Sequence, residues 1–72
     1  MTHYTINVYN VIEGVMNQRV LVKKLEKAGF KFERHGSNHD VYKRGSDEEQ
    51  IPRHREVNEA LARSILRKWG IT

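Results

Sequence analysis

Two stretches of the chain repeat their apolar residues at helical spacing. From Gln18 to Ala28, Leu21, Leu25 and Ala28 recur at i, i+4 and i+7 and share one face. Lys23, Lys24, Glu26 and Lys27 fall mostly on the other side. Gly29 follows directly and suits a left-handed C-cap, with Phe30 placed beyond it to pack back. The second stripe is Leu61, Ile65, Leu66 and Trp69, with Asn58 as its expected N-cap. Arg63, Arg67 and Lys68 lie toward its C-terminal half, where a helix dipole favours cations. Gly70 ends this helix, and Ile71 supplies the apolar contact that accompanies a glycine cap.

Between the helices the period changes. Residues 30–34 alternate apolar with charged, residues 39–44 carry Val41 and Tyr42, and residues 49–53 centre on Ile51. These read as three short strands, with Pro52 ending the third or placing it at an edge. His35-Gly36-Ser37-Asn38 and Gly45-Ser46-Asp47 read as the connections. Ahead of the first helix, Tyr4, Ile6 and Val8 alternate with Thr5, Asn7 and Tyr9, which predicts a strand over residues 4–9. Val11, Ile12, Val15 and Met16 could instead extend the first helix backwards, with Gly14 weakening it.

Seventy-two residues suit one small core, such as two helices on one face of a three-stranded antiparallel sheet. Cysteine is absent, so disulfide scaffolds and thiolate metal sites are excluded. No apolar run reaches the roughly 18 residues of a membrane span. The opening residues have neither the basic start nor the cleavage site of a secretory signal. The expectation is a soluble, cytoplasmic protein without membrane association. Charge refines this picture. Residues 1–15 hold no Lys or Arg and one acid, Glu13; the rest hold 13 basic and eight acidic residues. The chain therefore divides into an extension, 1–15, which adds a strand, and a basic domain, 16–72. A net charge of +4 suggests a polyanionic partner.

The chemistry available is narrow. No nucleophile elbow surrounds Ser37 or Ser46, and the five glycines form no phosphate-cradling loop. His35, His39 and His54 fall at strand ends or in loops, where they can reach substrate. A histidine can take a proton from a ribose 2′-OH and return one to a leaving oxygen, while nearby cations stabilise charge on phosphoryl oxygens. RNA brings its own nucleophile, so such a reaction calls for no small-molecule cofactor. Arg34, Lys43, Arg44, Arg53 and Arg55 lie on or near the same strands and loops. Basic strand ends on a helix–sheet domain also suit gripping of double-stranded RNA without catalysis. A zinc site from His35, His39 and His54 is a further option.

The residues then bring a family into view. Leu21-Val22-Lys23-Lys24-Leu25-Glu26-Lys27-Ala28-Gly29-Phe30, Gly36-Ser37-Asn38-His39, Ile51-Pro52-Arg53-His54 and Leu61–Ile71 stand in an order and spacing that resembles the HicA toxins of HicA–HicB toxin–antitoxin pairs. The resemblance implies an α+β fold like the double-stranded-RNA-binding domain, helix–strand–strand–strand–helix. It implies a metal-independent endoribonuclease, an mRNA interferase that blocks translation until a HicB-type antitoxin covers it. The family's catalytic histidine closes its Gly-Ser-X-His signature, which maps onto His39. Gly36 and Ser37 would then shape the loop presenting it, with Lys43, Arg44, Arg53 and His54 as candidates to bind RNA or shape the loop. Two departures stand out. Asn58-Glu59-Ala60-Leu61 replaces a Gly-Thr pair frequent before the family's last helix, and residues 1–15 precede Met16, where a chain of ordinary family length would begin.

Overall fold

A short strand ending on a capping asparagine leads into each helix. The structure is a computed structural model that describes residues 14–71, together with the backbone of Val11 and Ile12. Strand β1 spans Val11–Ile12 and β2 spans Val15–Asn17. Helix α1 follows over Gln18–Lys27, and the strands β3, Lys31–His35, β4, His39–Arg44, and β5, Asp47–Pro52, come next. Strand β6, Glu56–Asn58, leads into α2, Glu59–Lys68. The Asn17 side chain accepts from Arg19 N–H at 2.8 Å, and the Asn58 side chain accepts from Leu61 N–H at 3.1 Å. Each satisfies a backbone donor that the helix leaves open. Asn58 was expected in this role; Asn17 was not.

Both helices end alike. Gly29 and Gly70 take φ of 101° and 70°, a region open to glycine because it lacks a Cβ. Phe30 N–H then donates to the Leu25 carbonyl at 3.0 Å, and Ile71 N–H donates to Leu66 at 2.8 Å. These are the closing bonds of Schellman caps, and they turn Phe30 and Ile71 back onto the core, as their positions predicted.

Strands β3, β4 and β5 form an antiparallel sheet in that order. The expected helix, three strands, helix is therefore present, and it is compatible with the double-stranded-RNA-binding-like fold. Boundaries shift by a residue or two: β3 spans Lys31–His35 where residues 30–34 were expected, which puts His35 in the strand, and β5 spans Asp47–Pro52 where residues 49–53 were expected. Gly45, at φ 60°, closes a two-residue turn, so Asp47 already pairs with Arg44 across the ladder.

A second small sheet, β1-β2-β6, was not expected. Val11, Ile12, Val15 and Met16 are strand residues here, not a backward extension of α1. Met16 lies opposite Val57, and both are buried. Two backbone bonds frame this pairing, Gln18 N–H to Arg55 O at 2.8 Å and Glu59 N–H to Gly14 O at 2.9 Å. They tie the N-terminal ends of the two helices together. The boundary expected between residues 15 and 16 falls inside β2. The strand expected over residues 4–9 lies outside the described residues.

One core unites the helices and the sheet. Leu21 and Leu25 of α1 meet Ala62, Ile65 and Leu66 of α2, with Phe30, Tyr42, Ile51, Met16 and Val57 filling between. Fully burying one large apolar side chain contributes roughly 1.5–3 kcal/mol, so this cluster is the main source of stability. Two polar clamps hold the sheet to the helix ends. Arg44 stacks 4.5 Å from the Phe30 ring centroid, donates to the Ala28 carbonyl at 3.0 Å and pairs with Asp47 at 2.9 Å. The buried Glu49 carboxylate accepts from Trp69 Nε1 at 2.7 Å and pairs with Lys68 Nζ at 2.8 Å.

Candidate functional site

The turn between β3 and β4 carries the Gly-Ser-Asn-His sequence. His35 pairs with Asp40 at the end of the ladder, so the reversal is made within residues 36–39. Gly36 N–H donates to the His39 carbonyl at 2.6 Å, which leaves Ser37 and Asn38 as the tip. A Cβ on Gly36 would lie 3.1 Å from that carbonyl oxygen. Glycine is thus needed for close approach, not for a left-handed backbone.

Arg53 pins this turn from the neighbouring strand connection. Its guanidinium donates to the Gly36 carbonyl at 3.0 Å and to the Ser37 carbonyl at 2.5 Å. Its backbone N–H donates to the Asn38 carbonyl at 3.3 Å, and its Nε lies 3.7 Å from Asp40 Oδ1. One cation therefore satisfies the carbonyls of a loop that has no ladder partner of its own.

His39 opens β4, half-buried, opposite Pro52 of β5. Its imidazole makes no hydrogen bond or ion pair among the described residues, which leaves both ring nitrogens available to a substrate. His54 follows Arg53 in the connection from β5 to β6 and is exposed. His35, His39 and His54 do not gather into a group that could hold a metal ion among the described residues.

The N-terminal end of α1 meets the same region. Gln18 Nε2 donates to the Pro52 carbonyl at 3.3 Å, and Gln18 N–H reaches Arg55 O. A groove of about 680 Å³ opens there, lined by Asn17, Gln18, Arg19, Val20, Lys23 and Arg55. It presents three cations and no acid. The start of α1, the 53–55 connection and the His39 turn thus form one basic end of the domain.

The other expected residues have different surroundings. Lys43 lies 3.7 Å from Glu33 on β3 and is half-exposed. Arg44 faces the helices, where Asp47, Ala28 and Phe30 occupy its guanidinium. Ser37 sits exposed at the turn tip.

Asp40 was not singled out from the sequence. It is buried, and its Oδ1 lies 2.6 Å from His35 Nδ1. A signal for it existed: a two-residue tip at Ser37-Asn38 places residue 35 opposite residue 40. Tyr42, next on the same side of β4, has its hydroxyl pushed above the usual tyrosine range. Burial is the main cause, and the Asp40 and Glu26 carboxylates add to it.

Comparison with known families gives one match. The model described as HicA toxin of bacterial toxin-antitoxin matches residues 19–71. No curated protein and no solved structure gives a significant match. The matched span runs from the first turn of α1 through the C-terminal cap of α2, and so includes the whole three-stranded sheet and the His39 turn.

Proposed function

The chain belongs to the HicA toxin family, and from that membership we propose that it is an endoribonuclease whose acid–base residue is His39. A toxin of this family works within a toxin–antitoxin pair. The substrate in this reading is mRNA, its cleavage stops translation, and a HicB-type antitoxin silences the toxin by covering the His39 end.

The observation that carries this reading is the placement of His39. It is an unpartnered imidazole at a strand start, beside a turn held rigid by Arg53, at the basic end of the domain. An imidazole moves protons near neutral pH, and RNA needs a proton removed from the attacking 2′-OH and one returned to the leaving 5′-oxygen. Arg19, Lys23 and Arg55 in the adjoining groove are suited to hold the phosphates on either side of the cleaved linkage. Arg53 keeps the turn in shape, and Lys43 and His54 supply further contacts to the RNA backbone. Arg44 acts by holding β4 to the end of α1. No step in this scheme uses a metal ion.

His39→Ala tests the proposal. The variant should keep the wild-type circular dichroism spectrum and lose about 10²–10⁴-fold in RNA cleavage, together with growth inhibition. Wild-type protein should cleave equally well in excess chelator. Undiminished cleavage by the variant would sink the assignment of His39. Wild-type protein that retains labelled RNA intact would instead be a double-stranded-RNA-binding-like module.

A further inference from the structure

A histidine that moves protons has to be aimed, and a carboxylate hydrogen-bonded to its second ring nitrogen commonly does the aiming. His39 has no such partner among the described residues. Its aim is set by its backbone, at the point where the turn over residues 36–39 enters β4. Gly36 N–H bonds the His39 carbonyl across that turn at 2.6 Å. The carbonyls of Gly36, Ser37 and Asn38 all turn to one residue, Arg53.

Arg53 is in turn held by Asp40. Burying a carboxylate is costly unless its charge is matched, and Arg53 supplies the match with Nε 3.7 Å from Asp40 Oδ1. A guanidinium is planar, so an anchor at the Nε end also sets the direction of Nη2, the nitrogen that bridges the Gly36 and Ser37 carbonyls. The same carboxylate oxygen lies 2.6 Å from Nδ1 of His35, the last residue of β3 before the turn. Asp40 therefore grips the turn twice, directly at residue 35 and through Arg53 at residues 36–38.

The strand register keeps this clamp apart from the chemistry. Asp40 lies opposite Ile51, which is buried in the core, so its side chain is on the helix side of the sheet. His39 precedes it in β4 and projects to the other face. Asp40 and His35 thus act on the backbone of the turn and not on the RNA at His39.

We propose that Asp40 is the positioning residue for His39 and works through Arg53. The carboxylate orients the guanidinium, the guanidinium fixes the turn, and the turn aims the imidazole. This rests on the RNA-cleavage reading above. The clamp acts on the rate of the chemical step and not on RNA binding.

The test uses the full chain as Asp40→Asn, Arg53→Lys and the double variant, with an RNA carrying a mapped wild-type cleavage site. Asp40→Asn keeps the side-chain shape and an acceptor for His35 but removes the charge that orients Arg53. Arg53→Lys keeps a cation but not the planar fork, and at an exposed position it probes the clamp without disturbing the buried site. Each should lower kcat by about 10–100-fold, the scale on which a small misplacement of a reacting group is felt. KM should stay within about twofold of wild type, and the double variant should be no slower than the slower single variant. Amide hydrogen exchange supplies a readout besides activity. Gly36 N–H should exchange faster in each variant, while the Phe30 and Ile71 N–H groups that close the two helices keep their wild-type protection.

Each failure has a distinct meaning. Wild-type kcat in Arg53→Lys would show that charge alone suffices there, as it does for a phosphate contact. A raised KM in either single variant would place the effect in RNA binding. Multiplying losses in the double variant would separate Asp40 from Arg53. Unchanged exchange at Gly36, or equal acceleration at Phe30 and Ile71, would leave Asp40 without a specific hold on the turn. Any of these overturns the clamp while leaving His39 in place. Inactive wild-type protein, or an unimpaired His39→Ala, would instead overturn the RNA-cleavage reading, and the clamp's role in it.

Discussion

Single residues at the basic end do two jobs, and their neighbours show which. Asp40 holds His35 and Arg53, while its charge also bears on the hydroxyl of Tyr42. Burial raises the Tyr42 hydroxyl above its ordinary value of about 10 in the folded chain. The folded state then keeps its proton at a pH where the unfolded state gives it up. The resulting stability is fully present below about pH 10 and falls as pH rises through the folded value. Urea unfolding between pH 8 and 11 should show this loss, and Tyr42→Phe should make it shallower; an unchanged slope would mean other groups cause it. Glu49 offers a second check. Its carboxylate is buried and serves Trp69, Lys68 and the Gln50 backbone, so Glu49→Ala leaves the Trp69 indole N–H without its acceptor. A loss of about 1–3 kcal/mol is expected by denaturant titration.

At the scale of elements, the helices were the most legible part of the sequence. Their apolar spacing and terminal glycines depend on contacts within about four residues, so they can be read from the chain alone. Gly29 shows how much rests on one such position. At φ 101°, any side chain is strained, and a Cβ there would meet Arg44 Cδ at 3.2 Å. Gly29→Ala should destabilise by at least about 1–2 kcal/mol and lower the melting temperature, with the His39 turn unaffected. The strand β6 was illegible for the opposite reason. Glu56-Val57-Asn58 has one apolar residue and no alternation long enough to register, and it is a strand because β2 lies beside it. The same holds for Val15–Asn17, whose apolar residues fit a helix as well as a strand until a partner arrives.

For the whole molecule, the small sheet decides how the basic end is assembled. It fixes both helix starts at once, and α1 in turn brings Arg19 and Lys23 against the 53–55 connection. Met16 is the apolar link, buried opposite Val57 in the common core. Met16→Ala should cost about 2–5 kcal/mol while unfolding stays a single transition by far-UV circular dichroism and by Trp69 fluorescence. Two separated transitions would show that the small sheet and the main sheet are independent units.

The division between sequence and structure follows from the range of the forces. Helix faces, glycine caps, the Asn58 cap, the order helix–three strands–helix and a histidine within a glycine turn were all readable locally. Which cations are free was not. Lys43 and Arg44 are adjacent in sequence, yet only Arg44 is turned inward onto Phe30 and Asp47, because strand alternation and the register with β5 assign it to the helix side. Arg53 read as a residue to bind RNA or to shape the loop, and only the fold put its donors on the Gly36 and Ser37 carbonyls. His35 read as one of three histidines at strand ends or in loops, and only the hairpin register set it 2.6 Å from Asp40. Register and cross-strand pairing exist only once distant segments meet, so tertiary structure alone could decide them.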